Sequence, residues 1–156
     1  MRSGVDSALR DRILWLAGLF DGEGHISLFM SKNQLVADVA VTNTDLAIIN
    51  EVRSIADALG LSYNVRRSGR KDATHHKPCF QVAFCGLKRA RRFLREIVPY
   101  LVGKRSRAEA VLTFIEYRQR TMDNRAAFGP RSKPRDDMWL MQQLDELRTE
   151  RQKASA

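Results

Sequence analysis

Hydrophobic spacing divides the chain into stretches of helical and extended period. Over 7–20, SALRDRILWLAGLF sets Leu9, Ile13, Leu16, Ala17 and Phe20 three or four residues apart, the mark of a helix with one buried stripe. At His25 the period falls to two. Ile26, Leu28 and Met30 alternate with His25, Ser27, Phe29 and Ser31, which predicts a strand over 25–32 with one mostly polar face. Asn33 and Gln34 are the expected turn, and a second strand over 35–42 turns Leu35, Ala37, Val39 and Val41 inward. Helical spacing returns over 45–59 through Leu46, Ile49, Val52, Ile55, Ala56 and Leu59, with Thr44 as expected cap and Gly60 as stop.

Two further strands are predicted over 63–68 and 79–85, the second with Phe80, Val82 and Phe84 inward. Between them runs the polar, basic loop SGRKDATHHKP. Helices over 87–98, stopped at Pro99, and over 104–120 follow. A last helix over 136–151 lies beyond the breaker-rich FGPRSKP. The order is helix, two strands, helix, two strands, helices. That is an α+β class without the strand–helix alternation of a parallel sheet. We expect one domain over 1–156, with its core at about 7–120 and a C-terminal helical extension at about 134–152. Helices cover one face of the sheet. The other face carries Ser27, Phe29, Ser31, Asn33, Gln34, Val36, Asp38, Asn64, Arg66, Ser68, Arg70 and Gln81, side chains suited to hydrogen bonding with base edges, although an ordinary solvated face has a similar composition.

Charge favours the first reading of that face. There are 27 Lys and Arg against 18 Asp and Glu, a net +9, and 20 of the cations are Arg. The planar Arg fork matches phosphates and guanine edges, so the bias points to a nucleic-acid partner. No apolar run approaches the roughly 20 residues that span a bilayer. The N-terminus lacks the apolar core of a signal peptide, so the expected location is intracellular, in a bacterial, phage or organellar compartment, with no membrane partner. Cys79 and Cys85 sit six apart in one strand, where same-face packing is a simpler reading than a disulfide. A zinc site from His75, His76, Cys79 and Cys85 matches no common spacing.

The densest chemistry is WLAGLFDGEGHISLF at 15–29. Its Gly22-Glu23-Gly24 runs from helix to strand, the reverse of a dinucleotide-binding turn. Ala17 and Gly18, next to Leu16, strip bulk from the helix so that a second helix can approach closely. Gly22 and Gly24 are expected to supply backbone angles that other residues avoid. Glu23 then stands at the helix end by the sheet. Two such helices packed about a two-fold axis bring two carboxylates together, hard oxygen ligands for Mg²⁺ in phosphodiester hydrolysis.

Residues 16–24, LAGLFDGEG, resemble the signature of the LAGLIDADG homing endonucleases, and the element order over 7–120 is similar to theirs. The resemblance implies a saddle-shaped antiparallel sheet that lies in DNA major grooves, and a metal-dependent cut of both strands that leaves short 3′ overhangs. It implies metal ligation by Glu23, where the named signature has Asp, and by the Gly22 carbonyl. Mg²⁺ is the expected ion, with Mn²⁺ able to substitute. It also implies a water-orienting Asn43 and a phosphate-stabilising Lys104, while Asp21 is read as structural. Some relatives carry a further basic residue after the Asn. Here TDLAIIN offers none, and Arg66 or Arg67 is the expected substitute. Members with one motif act as homodimers. One motif is visible, so a C₂ homodimer on a pseudo-palindromic double-stranded site is expected, with Leu16, Ala17 and Gly18 at the seam. Two other functions fit the scaffold: an RNA-binding intron maturase, and a DNA-binding regulator that has lost cleavage.

Overall fold

A computed structural model describes residues 3–31, 34–68 and 77–128. Four helices and a four-stranded antiparallel sheet follow one another as α1 (Ser3–Glu23), β1 (Gly24–Ser31), β2 (Gln34–Asn43), α2 (Leu46–Ala58), β3 (Asn64–Ser68), β4 (Cys79–Ala83), α3 (Leu87–Ile97), a 3₁₀ turn (Val98–Tyr100) and α4 (Arg105–Phe128). The expected α+β class is therefore observed. The predicted helix at 136–151 and the whole proposed C-terminal extension at about 134–152 lie outside the described residues.

Spatial strand order is β1-β2-β4-β3. The register pairs Ile26 with Val39, Leu28 with Ala37, and Val41 with Val82, and those side chains make the inner face. There they join Leu16, Ala17 and Phe20 of α1, Ile49, Val52 and Ile55 of α2, Phe93, Leu94 and Ile97 of α3, and Val111, Phe114 and Ile115 of α4 in one buried cluster. Phe84 stacks on Phe93 with centroids 3.9 Å apart, and Phe20 tilts against Phe93 at 4.7 Å. Each such side chain, fully buried, contributes about 1.5–3 kcal/mol, so the aromatic knot ties α1, β4 and α3 into one body.

Several boundaries differ from the sequence reading for local reasons. Asp45, not Thr44, caps α2, because its carboxylate accepts the Ala47 amide at 2.8 Å. Gly60 ends that helix as expected, with φ +63. Gln34 belongs to β2, paired with Ser31, rather than to a turn. The β4 ladder continues past its formal end, where the Phe84 amide donates to the Val39 carbonyl at 2.7 Å.

The largest correction concerns α1. Leu16 and Ala17, expected at a seam between two copies, are completely buried in the protein's own core. Of the three predicted seam residues only Gly18 is exposed. The apolar residues that α1 turns outward beside it are Leu14 and Trp15, 44% and 42% exposed. The stripe read as a partner face is thus the one that closes the core, and the free face lies on nearly the opposite side of the helix.

Candidate active site

The last residue of α1 is followed directly by the first of β1, with no loop between them. So abrupt a junction needs a position without a side chain. A Cβ on Gly24 would stand 2.4 Å from Phe20 Cδ1 and 2.7 Å from Phe20 Cα. The role of Gly24 is close approach, not unusual backbone angles: among the described residues the positive-φ glycines are Gly60 and Gly86, so the expectation for Gly22 and Gly24 is corrected.

Glu23 therefore projects from the end of α1, exposed, at the edge where β1 begins and β2 ends. Gly24 pairs with Val41, which brings Asn43 at the end of β2 alongside it. Asn43 Nδ2 donates to Glu23 Oε2 at 2.5 Å. Which end of the amide faces the carboxylate is settled by the Asp45 amide, which donates to Asn43 Oδ1 at 2.8 Å. A relay thus runs from the cap of α2 through Asn43 to Glu23. Among the described residues no hydrogen bond reaches Glu23 Oε1. That oxygen and the Gly22 carbonyl, in a last helical turn whose carbonyls lack full intrahelical partners, are hard donors of the kind Mg²⁺ takes. No group of three or more His, Cys, Asp or Glu able to hold a metal occurs among the described residues.

Lys104, the residue just before α4, sits against the same junction. Its ammonium donates to the carbonyls of Phe20 at 2.7 Å and Gly24 at 2.6 Å. In return Asp21 accepts the Val102 amide at 2.7 Å and the Lys104 amide at 2.8 Å. Burial works to raise the Asp21 pKa. Hydrogen bonds from the amides of Val102, Lys104 and Gly103, with the Lys104 charge, outweigh it and hold the pKa below the ordinary carboxylate value. The structural role expected of Asp21 is thereby specified: it anchors the turn into α4.

The outer face of the sheet carries the candidate base-reading residues. Strand pairing sets Ser27 beside Asp38, Phe29 beside Val36, Arg66 beside Gln81, and Asn64 beside Ala83. Ser31, Gln34 and Ser68 occupy ladder positions opposite Gln34, Ser31 and Cys79. Asn33, Arg70, His75 and His76 lie outside the described residues. Arg66 is exposed on this outer face, whereas Arg67 pairs with Phe80 on the inner side. Arg66 lies two strands from Thr42, about 10 Å across the sheet.

Ser27 differs from the expectation of a free reader. It is 6% exposed, with its Oγ 2.8 Å from His25 Nε2. Asp38 is the hub of that neighbourhood. His25 Nε2 lies 3.3 Å from its Oδ2, and the Cys85 thiol donates to its Oδ1 at 3.1 Å. Burial and the Asp38 carboxylate raise the Cys85 pKa. Cys79 and Cys85 are both free thiols. Neither the Asp38 hub nor the Asp21–Lys104 contact was legible from spacing, because each joins residues brought together only by register or helix packing.

A model of the LAGLIDADG-like domain matches residues 11–98. No curated protein matches the chain by sequence. Among solved structures, the homing endonuclease I-CvuI in complex with the I-CreI target and Mg, its DNA uncleaved, is 24% identical with a TM-score of 0.55, covering 70% of this chain and 68% of that one. The LAGLIDADG meganuclease I-AabMI bound to uncleaved DNA is 21% identical with a TM-score of 0.56, covering 70% of this chain and 38% of that one. The LAGLIDADG homing endonuclease I-GzeII with its DNA target is 13% identical with a TM-score of 0.52, over 85% and 42% of the two chains. At these identities the structural likeness establishes the fold.

Proposed function

This chain belongs to the LAGLIDADG family, whose domain model spans more than half of it, and on that premise we propose that it is a site-specific, metal-dependent DNA endonuclease acting as a homodimer. The observation that carries the reading is the lone exposed carboxylate of Glu23, braced by Asn43 at the tip of a helix whose free face is apolar and small. A copy of the chain packed on Leu14, Trp15 and Gly18 brings a second Glu23 to the first. The two carboxylates and the Gly22 carbonyls then hold Mg²⁺. When bound, the ion supplies water activation and charge neutralisation at the leaving oxygen. Asn43 keeps each carboxylate aimed by donating from a fixed amide.

The outer sheet face is the reading surface under this proposal, with Phe29, Asp38, Asn64, Arg66 and Gln81 toward the major groove. The chain's excess of Arg supports binding through phosphates as well. Two copies of one face read a pseudo-palindrome.

Selection of cleaved duplexes from a random library with Mg²⁺ tests the reading. Wild type should enrich one long, near-symmetric sequence. Glu23→Gln should bind that sequence with an affinity close to wild type and leave it intact. Undiminished cutting by the variant removes Glu23 from the reaction, and absence of any cleaved sequence with wild type removes the nuclease reading.

A further inference from the structure

We propose that Asp21 and Lys104 form a reciprocal clasp that positions Glu23 for metal binding, with Lys104 acting through the carbonyls of the motif. This rests on the endonuclease reading and gives Lys104 a task beside the one the family resemblance implies.

The clasp joins the junction of α1 and β1 to the turn before α4. A cation from the turn meets backbone carbonyls at the junction, and an anion from the last turn of α1 meets amides of the turn. The ammonium of Lys104 donates to Phe20 O and Gly24 O, and the carboxylate of Asp21 accepts from Val102 N and Lys104 N, all four bonds lying between 2.6 and 2.8 Å. The contacts span 80 to 84 residues of sequence, so they are a tertiary lock and not a local turn.

What the lock encloses is Gly22 and Glu23. Phe20 and Asp21 are held on one side and Gly24 on the other. The remaining freedom of Glu23 is in its side chain, and Asn43 restrains that. An ammonium that donates to a carbonyl on either side of Gly22 and Glu23 braces the backbone between them. Partners bonded directly to metal ligands change metal affinity about 10- to 100-fold when removed, and a brace one residue further out belongs at the low end of that range.

The test uses the full chain on the duplex recovered by selection, with Mn²⁺ as probe. Binding is read by titration calorimetry and by the Mn²⁺ electron paramagnetic resonance signal, and cleavage rate is followed separately against metal concentration. Lys104→Met should weaken Mn²⁺ binding about tenfold, whatever its effect on the rate at saturating metal. Lys104→Arg, whose fork can serve both carbonyls, should recover most of the affinity. Asp21→Asn should weaken Mn²⁺ binding in the same direction, although an anion at that position has no means of stabilising a phosphate. It keeps the test open if Lys104→Met does not fold, which circular dichroism reports. Wild-type Mn²⁺ affinity in the folded variants, with a rate loss that saturating metal does not relieve, overturns the clasp and returns Lys104 to the phosphate. If wild type itself neither binds Mn²⁺ nor cleaves, the endonuclease reading falls and takes the clasp with it.

Discussion

Replacing Gly24 by Ala tests whether the helix-to-strand junction depends on close approach. The added methyl carbon would lie 2.4 Å from Phe20 Cδ1 and 2.7 Å from both Phe20 Cα and Cγ, against an ordinary contact of 3.4–4 Å. Relief requires a movement of roughly 1 Å, and Phe20 is poorly placed to give it. One of the offending atoms is backbone, and the ring is fully buried, 4.7 Å from Phe93. Overpacking of this kind costs about 1–3 kcal/mol. For a chain of this length the melting temperature should fall by about 3–4 °C for each kcal/mol. Gly18→Ala is the internal control: nothing lies within 4 Å of its Cβ position and its φ is negative. In dilute solution, where chains are monomeric, it should raise stability by about 0.5–1 kcal/mol through helix propensity. Urea unfolding followed by tryptophan fluorescence gives both values from the midpoint at constant slope. An unchanged midpoint for Gly24→Ala, or equal shifts for the two variants, refutes the steric account.

Two other substitutions separate core from seam on α1. Leu16→Ala should cost about 2–5 kcal/mol of stability, whereas Trp15→Ala should leave the dilute-solution midpoint within about 0.5 kcal/mol and raise the dimer dissociation constant measured by sedimentation. Asp21→Asn should destabilise by about 1–2 kcal/mol at neutral pH through its charged hydrogen bonds to the α4 turn. The native pKa of Asp21 is depressed, so its contribution is fully present above the ordinary carboxylate pKa and lost as pH falls through the native one. The gap between wild type and variant, read from melting curves, should therefore close toward acid; a gap that persists below the native pKa would mean charge is not the source.

Periodicity recovered most of the fold because the inner face is filled by residues that only burial explains. Ile26, Leu28, Val39, Val41, Val82 and Phe84 alternate strictly along the chain, and all are buried. Periodicity also misled at α1, where apolar residues occur on two faces. Spacing alone does not say which of Leu14–Trp15 and Leu16–Ala17 meets the sheet. The core settles it by containing the latter pair. Glu23 and Asn43 were nominated by type and by family pattern, yet their contact follows from the pairing of Gly24 with Val41, a register absent from either segment read alone. Asp21 was legible as structural, but its partners at Val102 and Lys104 lie more than eighty residues away, beyond any local pattern.

Glu23, Asn43 and the Lys104 brace all stand at one end of the sheet, held by helix ends and backbone groups. The outer side chains run away from that end along the strands. Side chains there can be exchanged with no change in any hydrogen bond that holds Glu23. A lineage under pressure to follow a drifting target is free to rewrite its reading face one residue at a time while the hydrolytic end is inherited intact, so divergence should concentrate at Phe29, Val36 and Arg66 and spare the junction.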